Sequence, residues 1–565
     1  MKSYLRYLLP LFLLAAEAAG ARAQSFPIYD SGGPLRPEQG TFDVTFYDID
    51  LRILPDAKVI GGSVTTFARI VEPTRLIVLE LDTLLIVQEV ESVRGGEMSP
   101  LQWERRVGTI RIDLGSVRPA GEEVGVRVTY AGRPRVAPQA PWDGGFVWEE
   151  TRSGASWIAT AVQGEGPDLW WPAKDHVSDK PDSVALHIRV PRPLVVATNG
   201  RLERVEEHTD GNSTYHYLVS TPVSAYNIAL NIAPYELIEE EMRSITGETF
   251  PVTFFVLPED EGRGRRLMRE ILDHLRFFEE TVGPYPFRAD GYKVAQTPHL
   301  GMEHQTVIAY GANFNRGAMT GGRDWGFDAL HHHELAHEWW GNLVTNSDWQ
   351  DMWIHEGFGT YMQSLYAEEL GGDEGYRAHL GVERQGISNL APLAPRESKT
   401  TGEIYFDSGS DIYSKGAWVL HTLRWVLGDE DFFESLRRFA YPTEEARRAT
   451  DGSQVRSVTS DDFIAVAEEV SGRELDWFFE VYLRQAQLPR ITGVRAGEVL
   501  QLRWDAPGGL PFPMPVEVEF RGRTVRVEMP GGRGEVTLPR NAQAVVDPNS
   551  RVLRANQNEG VVAAQ

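Results

Sequence analysis

The sequence predicts a multidomain α+β protein with three folded parts in series. Apolar and polar residues alternate in many short runs of residues 40–240, which is the period of a half-buried strand. From residue 325 to residue 487 apolar residues recur instead at the spacing of an amphipathic helix. Alternation returns after residue 488. We therefore expect an N-terminal β-rich domain, a mainly helical central domain and a small C-terminal β-sandwich.

The first 23 residues have the composition of a secretory signal peptide. Lys2 and Arg6 form a basic start, residues 8–19 are mostly apolar, and Ala21-Arg22-Ala23 suits a signal peptidase. The apolar stretch is short for a membrane span, so an uncleaved anchor is the minority alternative. We expect residues 1–23 to be removed, the protein to be exported to a bacterial periplasm or medium, and no stable membrane insertion afterwards.

The N-terminal domain is expected over residues 24–240. Phe42, Val44 and Phe46 begin a series of alternating runs, and turn pairs such as Asn199-Gly200 separate the runs. Runs of this kind are typical of antiparallel strands joined by turns. We therefore predict one large antiparallel domain.

The central domain, over residues 241–487, is expected to carry the chemistry. Residues 325–345 are predicted to form one helix, and a second amphipathic helix begins near Ile354. Residues 488–565 are expected to form the β-sandwich, with a loose tail after Leu553.

Composition excludes several classes of function. The net charge of −25 makes nucleic acid an improbable partner, because binding to phosphates depends on clustered positive charge. The chain has no cysteine, which excludes thiol catalysis and thiolate metal ligands. The oligomeric state is not set by the sequence.

The run His333-Glu334-Leu335-Ala336-His337, followed by Glu356, is the ligand pattern of a catalytic zinc site. Histidines four apart lie on one face of a helix, so both can bind one ion. Glu356 from the second helix would be the third protein ligand, which leaves a fourth position for water. A chance match with two ordinary histidines is the alternative. His331 and His332 have no histidine four residues on, and we interpret them as helix-face residues rather than ligands.

The metal pattern predicts hydrolysis of an amide. Zinc lowers the pKa of bound water to about 7 and polarises carbonyl oxygens. We expect one zinc ion per chain, although cobalt or manganese can occupy similar ligand sets.

Two further motifs flank the predicted metal site: Leu300-Gly301-Met302-Glu303-His304 before it and Tyr413-Ser414-Lys415-Gly416-Ala417 after it. Together with residues 333–345 and Glu356-Gly357-Phe358, they resemble the M1 family of zinc aminopeptidases, which includes aminopeptidase N and leukotriene A4 hydrolase. The resemblance covers essentially the whole chain after the signal. It implies a β saddle, a thermolysin-like catalytic domain of the gluzincin type and a C-terminal β-sandwich. It also implies a short form without the family's C-terminal helical domain, and hence a more open cleft.

The resemblance implies a role for each residue of the metal motif. His333, His337 and Glu356 would bind zinc. Glu334 would be the general base that takes a proton from the attacking water and later passes a proton to the leaving amine.

The resemblance also implies how the substrate is held. Glu303, in the motif with Gly301 and Met302, would bind the free α-amino group of a peptide, and Gln163 would contact the same group and line the first substrate pocket. Tyr413 would stabilise the oxyanion. The Glu303 carboxylate suits the binding of the α-amino group, because charge-assisted hydrogen bonds to an ammonium group are strong. The expected substrates are therefore peptides with a free N-terminus.

Some positions depart from the family's usual pattern. Leu300 and His304 stand where the family commonly has a small residue and Asn, and His355 stands where it often has Asn. The alternatives for two site residues are a solvated Glu303 and a packed Tyr413. Alternative functions are an endopeptidase, an epoxide hydrolase, or a non-catalytic scaffold in which the zinc fold is a relic.

Overall fold

The computed structural model describes residues 29–557 and the backbone of residues 562–564. The predicted signal peptide lies outside the described residues, and its removal stays a prediction. No helix of the described part is long and apolar enough to cross a membrane. The predicted α+β organisation is confirmed, because β-sheets come first, helices dominate the centre and β-sheets return at the end.

The N-terminal part is rich in strands. In chain order they are β1 (Phe42–Leu54), β2 (Val59–Ile70), β3 (Thr74–Glu80), β4 (Leu85–Arg94), β5 (Glu97–Pro100), β6 (Gln102–Arg106), β7 (Thr109–Arg118), β8 (Glu123–Gly132), β9 (Gly145–Glu150), β10 (Ser156–Ala161), β11 (Ser183–Pro191), β12 (Val195–Thr198), β13 (Arg201–Glu207), β14 (Asn212–Val219) and β15 (Leu230–Ala233).

The largest sheet has the strand order β13-β14-β11-β1-β2-β8-β4-β5. The prediction of a purely antiparallel domain is wrong at one place in it. Strand β1 runs parallel to β11, with Phe46 opposite Ser183 and Arg52 opposite Arg189. Alternation of apolar residues reports which face of a strand is buried, but not the direction of its neighbour, so the sequence pattern could not reveal this pair.

Two smaller sheets pack with the large one. Their strand orders are β3-β7-β6 and β12-β15-β10-β9. Strand β10 ends at Ala161, two residues before Gln163, and it is paired on both sides. Gln163 therefore closely follows a strand that is hydrogen-bonded to a neighbour on each side.

A separate five-stranded sheet leads to the candidate site. Its strands are β16 (Glu236–Arg243), β17 (Thr249–Val256), β18 (Tyr292–Gln296), β19 (Gly301–Met302) and β20 (Val307–Tyr310), in the order β16-β17-β18-β20-β19. The boundary predicted between residues 240 and 241 lies inside β16, which pairs with β17 along its whole length. Further on, β21 (Val344–Asn346) pairs with β22 (Arg456–Val458).

The helices follow from residue 261 onward. They are α1 (Glu261–Thr281), α2 (Ala329–Ala336), α3 (Trp353–Gly386), α4 (Thr401–Ser408), α5 (Asp411–Leu427), α6 (Asp429–Ala440), α7 (Glu444–Arg448), α8 (Ser460–Ser471) and α9 (Asp476–Tyr482). Helix α3 contains a break at Gly372, whose φ is 59°.

The prediction of one helix over residues 325–345 is wrong. Helix α2 covers eight residues, and the chain then turns into β21. Gly341 has a φ of 141°, and its N–H donates to the Val344 carbonyl at 2.9 Å. Leu343, which fits helical spacing in the sequence, is buried by this turn rather than by a helix. Leu343 therefore has helical spacing in the sequence because it is buried in the turn, and not because it belongs to a helix.

The C-terminal part forms two small sheets. Their strands are β23 (Arg490–Ala496), β24 (Val499–Asp505), β25 (Val516–Phe520), β26 (Arg523–Val527), β27 (Arg533–Thr537), β28 (Val545–Val546) and β29 (Val562–Ala564), in the orders β27-β24-β23-β29 and β26-β25-β28. The tail after Leu553 is not loose where it is described. Asn556 is buried and bonds to Ile491, and β29 pairs parallel to β23.

Candidate active site

Helices α2 and α3 bring three metal-binding side chains to one point. The Nε2 atoms of His333 and His337 lie 3.3 Å apart. The Oε2 atom of Glu356 lies 3.3 Å from the first and 3.5 Å from the second. All three residues are buried, with exposures of 3%, 1% and 3%. The structure thus places the three predicted ligands together.

Local sequence explains why the two imidazoles face Glu356. The Asp328 side chain caps α2 by accepting the N–H of His331 at 3.0 Å, which fixes the start of the helix. Helix α2 ends one residue before His337, and Nδ1 of His337 lies 3.0 Å from the Trp340 carbonyl. That contact orients the ring, since a metal-binding histidine commonly donates its other N–H to an acceptor.

The electrostatics of the cluster suit a cation. Burial lowers the pKa of both His333 and His337 to about 4, so both rings are neutral, which is the form that binds metal. Burial also raises the pKa of Glu356. Two neutral imidazoles and a carboxylate around one point form the donor set typical of catalytic zinc. The residues present therefore fit a zinc ion.

Two more buried carboxylates adjoin the three ligands. Carboxylate oxygens of Glu303 and Glu334 and a ring nitrogen of His337 lie within 4.8 Å of one another. Burial, and then the charge of Glu356, raise the pKa of Glu303 to about 8. Burial and the charges of Glu303 and Glu356 raise the pKa of Glu334 well above its usual range. Each carboxylate makes the ionised form of the others less favourable, and a cation at this point would relieve all three.

Strand β19 sets the distance between Glu303 and Glu334. A Cβ atom at Gly301 would lie 2.7 Å from Oε1 of Glu334 and 2.6 Å from Cδ1 of Leu330. Only glycine lets the strand pass this close to α2. Met302, the next residue, is buried at 5% exposure and precedes Glu303 directly.

Glu303 is held by side chains from the N-terminal domain. Gln163 donates from Nε2 to Oε1 of Glu303 at 2.6 Å, and the Tyr226 hydroxyl donates to the same oxygen at 3.1 Å. Glu303 is 3% exposed. It is therefore not a solvated loop carboxylate, and the structure places Gln163 directly against it.

Tyr413 lies over the metal ligands. Its ring stacks on the ring of His333 with centroids 5.9 Å apart. Its hydroxyl lies 3.2 Å from the Tyr405 hydroxyl, and Tyr405 donates to Oε1 of Gln163 at 3.3 Å. Hydrogen bonds from Tyr413 and Tyr405 lower the pKa of Glu356 and partly oppose the effect of burial.

Two tyrosines of this cluster were not predicted as site residues. Tyr226 belongs to a short 3-10 turn, and Tyr405 belongs to α4. They lie 77 residues before Glu303 and 8 residues before Tyr413, respectively. Because neither stands in a recognisable motif, no signal in the sequence marked them.

The neighbouring histidines have other surroundings. His331 bonds to the Tyr292 hydroxyl at 2.8 Å and to His274 at 2.9 Å, and His332 packs among aromatic rings. Nε2 of His355 accepts the Asn346 N–H at 3.1 Å, which fixes the turn after α2. His304 is fully buried beside Glu303.

Comparison with known proteins agrees with this geometry. Residues 274–482 match the family described as peptidase family M1 domain. The central part of the chain is therefore similar to the peptidase family M1 domain. The matched residues include the metal triad and Tyr413, whereas Gln163 and Tyr226 lie outside them.

Similar proteins include aminopeptidases from distant organisms. The chain is 27% identical over 300 residues to probable aminopeptidase 1 of Saccharolobus solfataricus, covering 49% of this chain and 36% of the relative. It is 23% identical over 477 residues to aminopeptidase M1-C of Oryza sativa, covering 81% of this chain and 51% of the relative. The chain thus spans about half the length of these M1 relatives or less. TFIID subunit 2 of Drosophila melanogaster is also similar, at 27% identity over 41% of this chain and 18% of the relative.

A solved structure has the same fold. A mutant M1 zinc metallopeptidase from Deinococcus radiodurans, bound to a Tyr-Ser-Ala substrate, superposes with a TM-score of 0.64 at 24% identity. The match covers 82% of this chain and 98% of that chain. At this identity the likeness establishes the fold, while the activity must be argued from the site.

Proposed function

We propose that this protein is a zinc-dependent aminopeptidase of the M1 type that removes N-terminal residues from peptides. One observation carries the proposal: the buried Glu303 carboxylate, fixed by Gln163 and Tyr226, lies beside the metal triad and Glu334. A buried carboxylate at this position suits an ammonium group next to the bond to be cleaved. The names of the similar aminopeptidases agree with this activity.

The triad and two neighbours supply the hydrolytic chemistry. When bound by His333, His337 and Glu356, zinc acts as a Lewis acid that activates water and polarises the peptide carbonyl. Glu334 takes the proton of the attacking water, and it later returns a proton to the leaving amine. One carboxyl group can serve both steps, because it holds the proton between them. The Tyr413 hydroxyl donates to the carbonyl oxygen as negative charge develops there.

The other end of the site determines which bond is cleaved. Glu303 and the Gln163 amide accept and orient the ammonium group of the first residue. Their 2.6 Å contact holds both groups at one end of the site, where the ammonium group of the first residue would bind. This arrangement favours an exopeptidase over an endopeptidase.

A panel of aminoacyl fluorogenic amides tests the proposal. We expect cleavage of the free-amine substrates and none of the same substrates after N-acetylation. A chelator should abolish the activity, and Glu334→Gln should abolish it while leaving the bound zinc in place. Equal cleavage of the acetylated set would contradict the proposal, as would an absence of cleavage by protein that holds one zinc ion.

We also propose that the protein is exported. The support is the basic, then apolar, then small-residue pattern of residues 1–23. Expression of the full chain in a Gram-negative host, followed by fractionation and N-terminal sequencing, tests this proposal. A mature N-terminus near Gln24 in the periplasm or medium is the expected result, and full-length protein in the cytoplasm would contradict it.

A further inference from the structure

A second group of carboxylates, of which Glu80 and Asp168 are buried, lies in the N-terminal domain. Asp30, Glu80, Asp168 and Asp175 line a small cavity of about 40 Å³. Arg36 is the one arginine or lysine among the described residues that line it. Such a volume admits an ion with one or two waters, but no larger ligand. Among the described residues of this lining, Arg36 is thus the one cationic side chain beside Glu80, Asp168 and Asp175, whereas buried charges are normally paired.

The carboxylates of Asp168 and Asp175 both lie next to the backbone of Gly166. A Cβ atom at Gly166 would lie 2.3 Å from Oδ2 of Asp175 and 2.8 Å from Oδ1 of Asp168. Asp168 is 2% exposed, and its Oδ1 has no hydrogen-bond partner within the described part of the protein. A side-chain oxygen that is buried without a donor indicates a missing partner.

The nearby basic groups are already engaged. Arg36 donates to Oε1 of Glu80 at 2.9 Å. Arg135 donates to Oδ2 of Asp82 at 2.8 Å, and Arg105 donates to the backbone carbonyls of Leu81 and Asp82. None of these bonds reaches the side chain of Asp168. The charge of Arg36 offsets part of the effect of burial on the pKa of Asp175, whereas Oδ1 of Asp168 is left without a hydrogen-bond partner among the described residues.

We propose that Asp168 and Asp175 bind a Ca²⁺ ion in this cavity. Ca²⁺ prefers oxygen ligands and tolerates irregular geometry, whereas Mg²⁺ demands a near-ideal octahedron and keeps several waters. Zinc is disfavoured, because the two proposed ligands offer oxygen and no nitrogen or sulfur. Glu80 lies next to them, since its Oε2 accepts the Asp175 N–H at 3.2 Å. Burial, and then the charge of Glu80, raise the pKa of Asp175 to about 8, and a cation would remove this cost.

The ion would fix the segment that carries Gln163. The Gly166 N–H donates to the Val162 carbonyl at 2.7 Å, which closes a turn between Gln163 and Asp168. Oδ1 of Asp175 accepts the Ser31 hydroxyl at 2.9 Å. Ca²⁺ would thus join the Gln163 turn to the strand-connecting segment that holds Asp175, and it would stabilise the folded state by binding it alone.

Calcium titration of zinc-saturated protein tests the site. The protein is first stripped with EGTA, freed of EGTA and resupplied with zinc, so that the catalytic site stays filled. We expect isothermal titration to show one Ca²⁺ per chain and the Tm to rise by about 2 °C or more at saturation. Tb³⁺ offers a second readout, because the buried Trp170 and Trp171 follow Asp168 closely in the chain and can sensitise its emission.

Two variants locate the ion. Asp168→Asn and Asp175→Asn keep the side-chain shape, and each should abolish the Ca²⁺-dependent rise in Tm and the sensitised Tb³⁺ emission. Asp50→Asn, at an exposed position of β1, should retain both. If the two carboxylates instead share a proton, wild-type protein will bind no Ca²⁺ and Asp168→Asn will raise the Tm without it. That result would overturn the proposal, and so would Ca²⁺ binding that persists in both variants.

Discussion

Two side chains of the candidate site, His337 and Glu303, are oriented by residues outside the HExxH run and the motif around Glu303. His337 is turned by the Trp340 carbonyl, and Glu303 is held by Gln163 and Tyr226. Tyr405 bonds to both Gln163 and Tyr413. The proposed amino-group site at Gln163 and the proposed oxyanion donor Tyr413 are therefore connected through the Tyr405 hydroxyl.

Replacement of Glu303 tests the recognition of the amino group. We expect Glu303→Gln to lower kcat/KM for free-amine substrates by about 10- to 100-fold, because a hydrogen bond to a charged group contributes about 1.5–3 kcal/mol. Steady-state kinetics measures this loss. Glu369→Gln, on the exposed side of α3, is the matched control and should leave kcat/KM unchanged. Wild-type kinetics in Glu303→Gln would show that the carboxylate does not contact substrate.

We expect Tyr413 to contribute more to kcat than Tyr405. Tyr413→Phe should lower kcat by about 10²–10³, the usual cost of removing an oxyanion donor. Tyr405→Phe should lower kcat by only about 2- to 10-fold, because it removes neutral hydrogen bonds to Gln163 and Tyr413 from a residue that positions them. Single-turnover kinetics of both variants makes the comparison. A larger loss in Tyr405→Phe than in Tyr413→Phe would reverse the two roles.

At the scale of elements, the crossing of α3 and α5 brings Glu356 and Tyr413 together. A Cβ atom at Gly357 would lie 2.8 Å from Cα of Gly416, and a Cβ atom at Gly416 would lie 2.7 Å from Cα of Gly357. Both side chains that matter leave the helices within three residues of this contact. The close approach of two backbones therefore sets the distance between the third ligand and the oxyanion donor.

A methyl group at this crossing should separate the helices. We expect Gly416→Ala to destabilise the protein by about 1–3 kcal/mol, because the added atom meets backbone that cannot rotate away. Thermal unfolding measures the change. Gly381→Ala, in α3 with no atom within 4 Å of the new Cβ, should instead be neutral or stabilise by up to about 1 kcal/mol. Equal unfolding temperatures of Gly416→Ala and wild type would refute the packing argument.

Helix α2 and the pair of strands β1 and β11 differ from what the sequence predicts. The metal helix was predicted over residues 325–345, but α2 covers Ala329–Ala336. Helical spacing of Leu335, Trp339 and Leu343 arises here from a helix followed by a buried turn. Likewise, the β1 and β11 pair is parallel although both strands show simple alternation. Periodicity records burial, while the path between buried positions depends on contacts that are distant in sequence.

At the scale of the whole molecule, we expect metal binding to stabilise the folded protein. Glu303, Glu334 and Glu356 are buried together, and burial and the neighbouring carboxylates raise the pKa of Glu303 and Glu334, so ionising all three without a metal costs stability. Zinc at about 1,000 times its Kd would stabilise the folded state by about 4 kcal/mol. We expect a chelator to lower the Tm measurably.

A variant separates this effect from general damage by the chelator. Glu356→Gln removes one of the three buried carboxylates and one metal ligand. Without metal it should unfold at or above the wild-type temperature, and the chelator should change its Tm far less. If wild type and Glu356→Gln respond equally to the chelator, the triad is not the site of the stabilising ion.

The sequence by itself determined the α+β organisation and the residues from which the metal site is built, His333, His337 and Glu356. It could do so because ligand type and helical spacing are local properties of the chain. Only the tertiary structure decided the length of α2, the direction of β11, and the joining of Gln163, Tyr226 and Tyr405 to the site. These features depend on contacts between groups that are distant in the sequence and come together in the buried interior. No run of neighbouring residues encodes such a meeting.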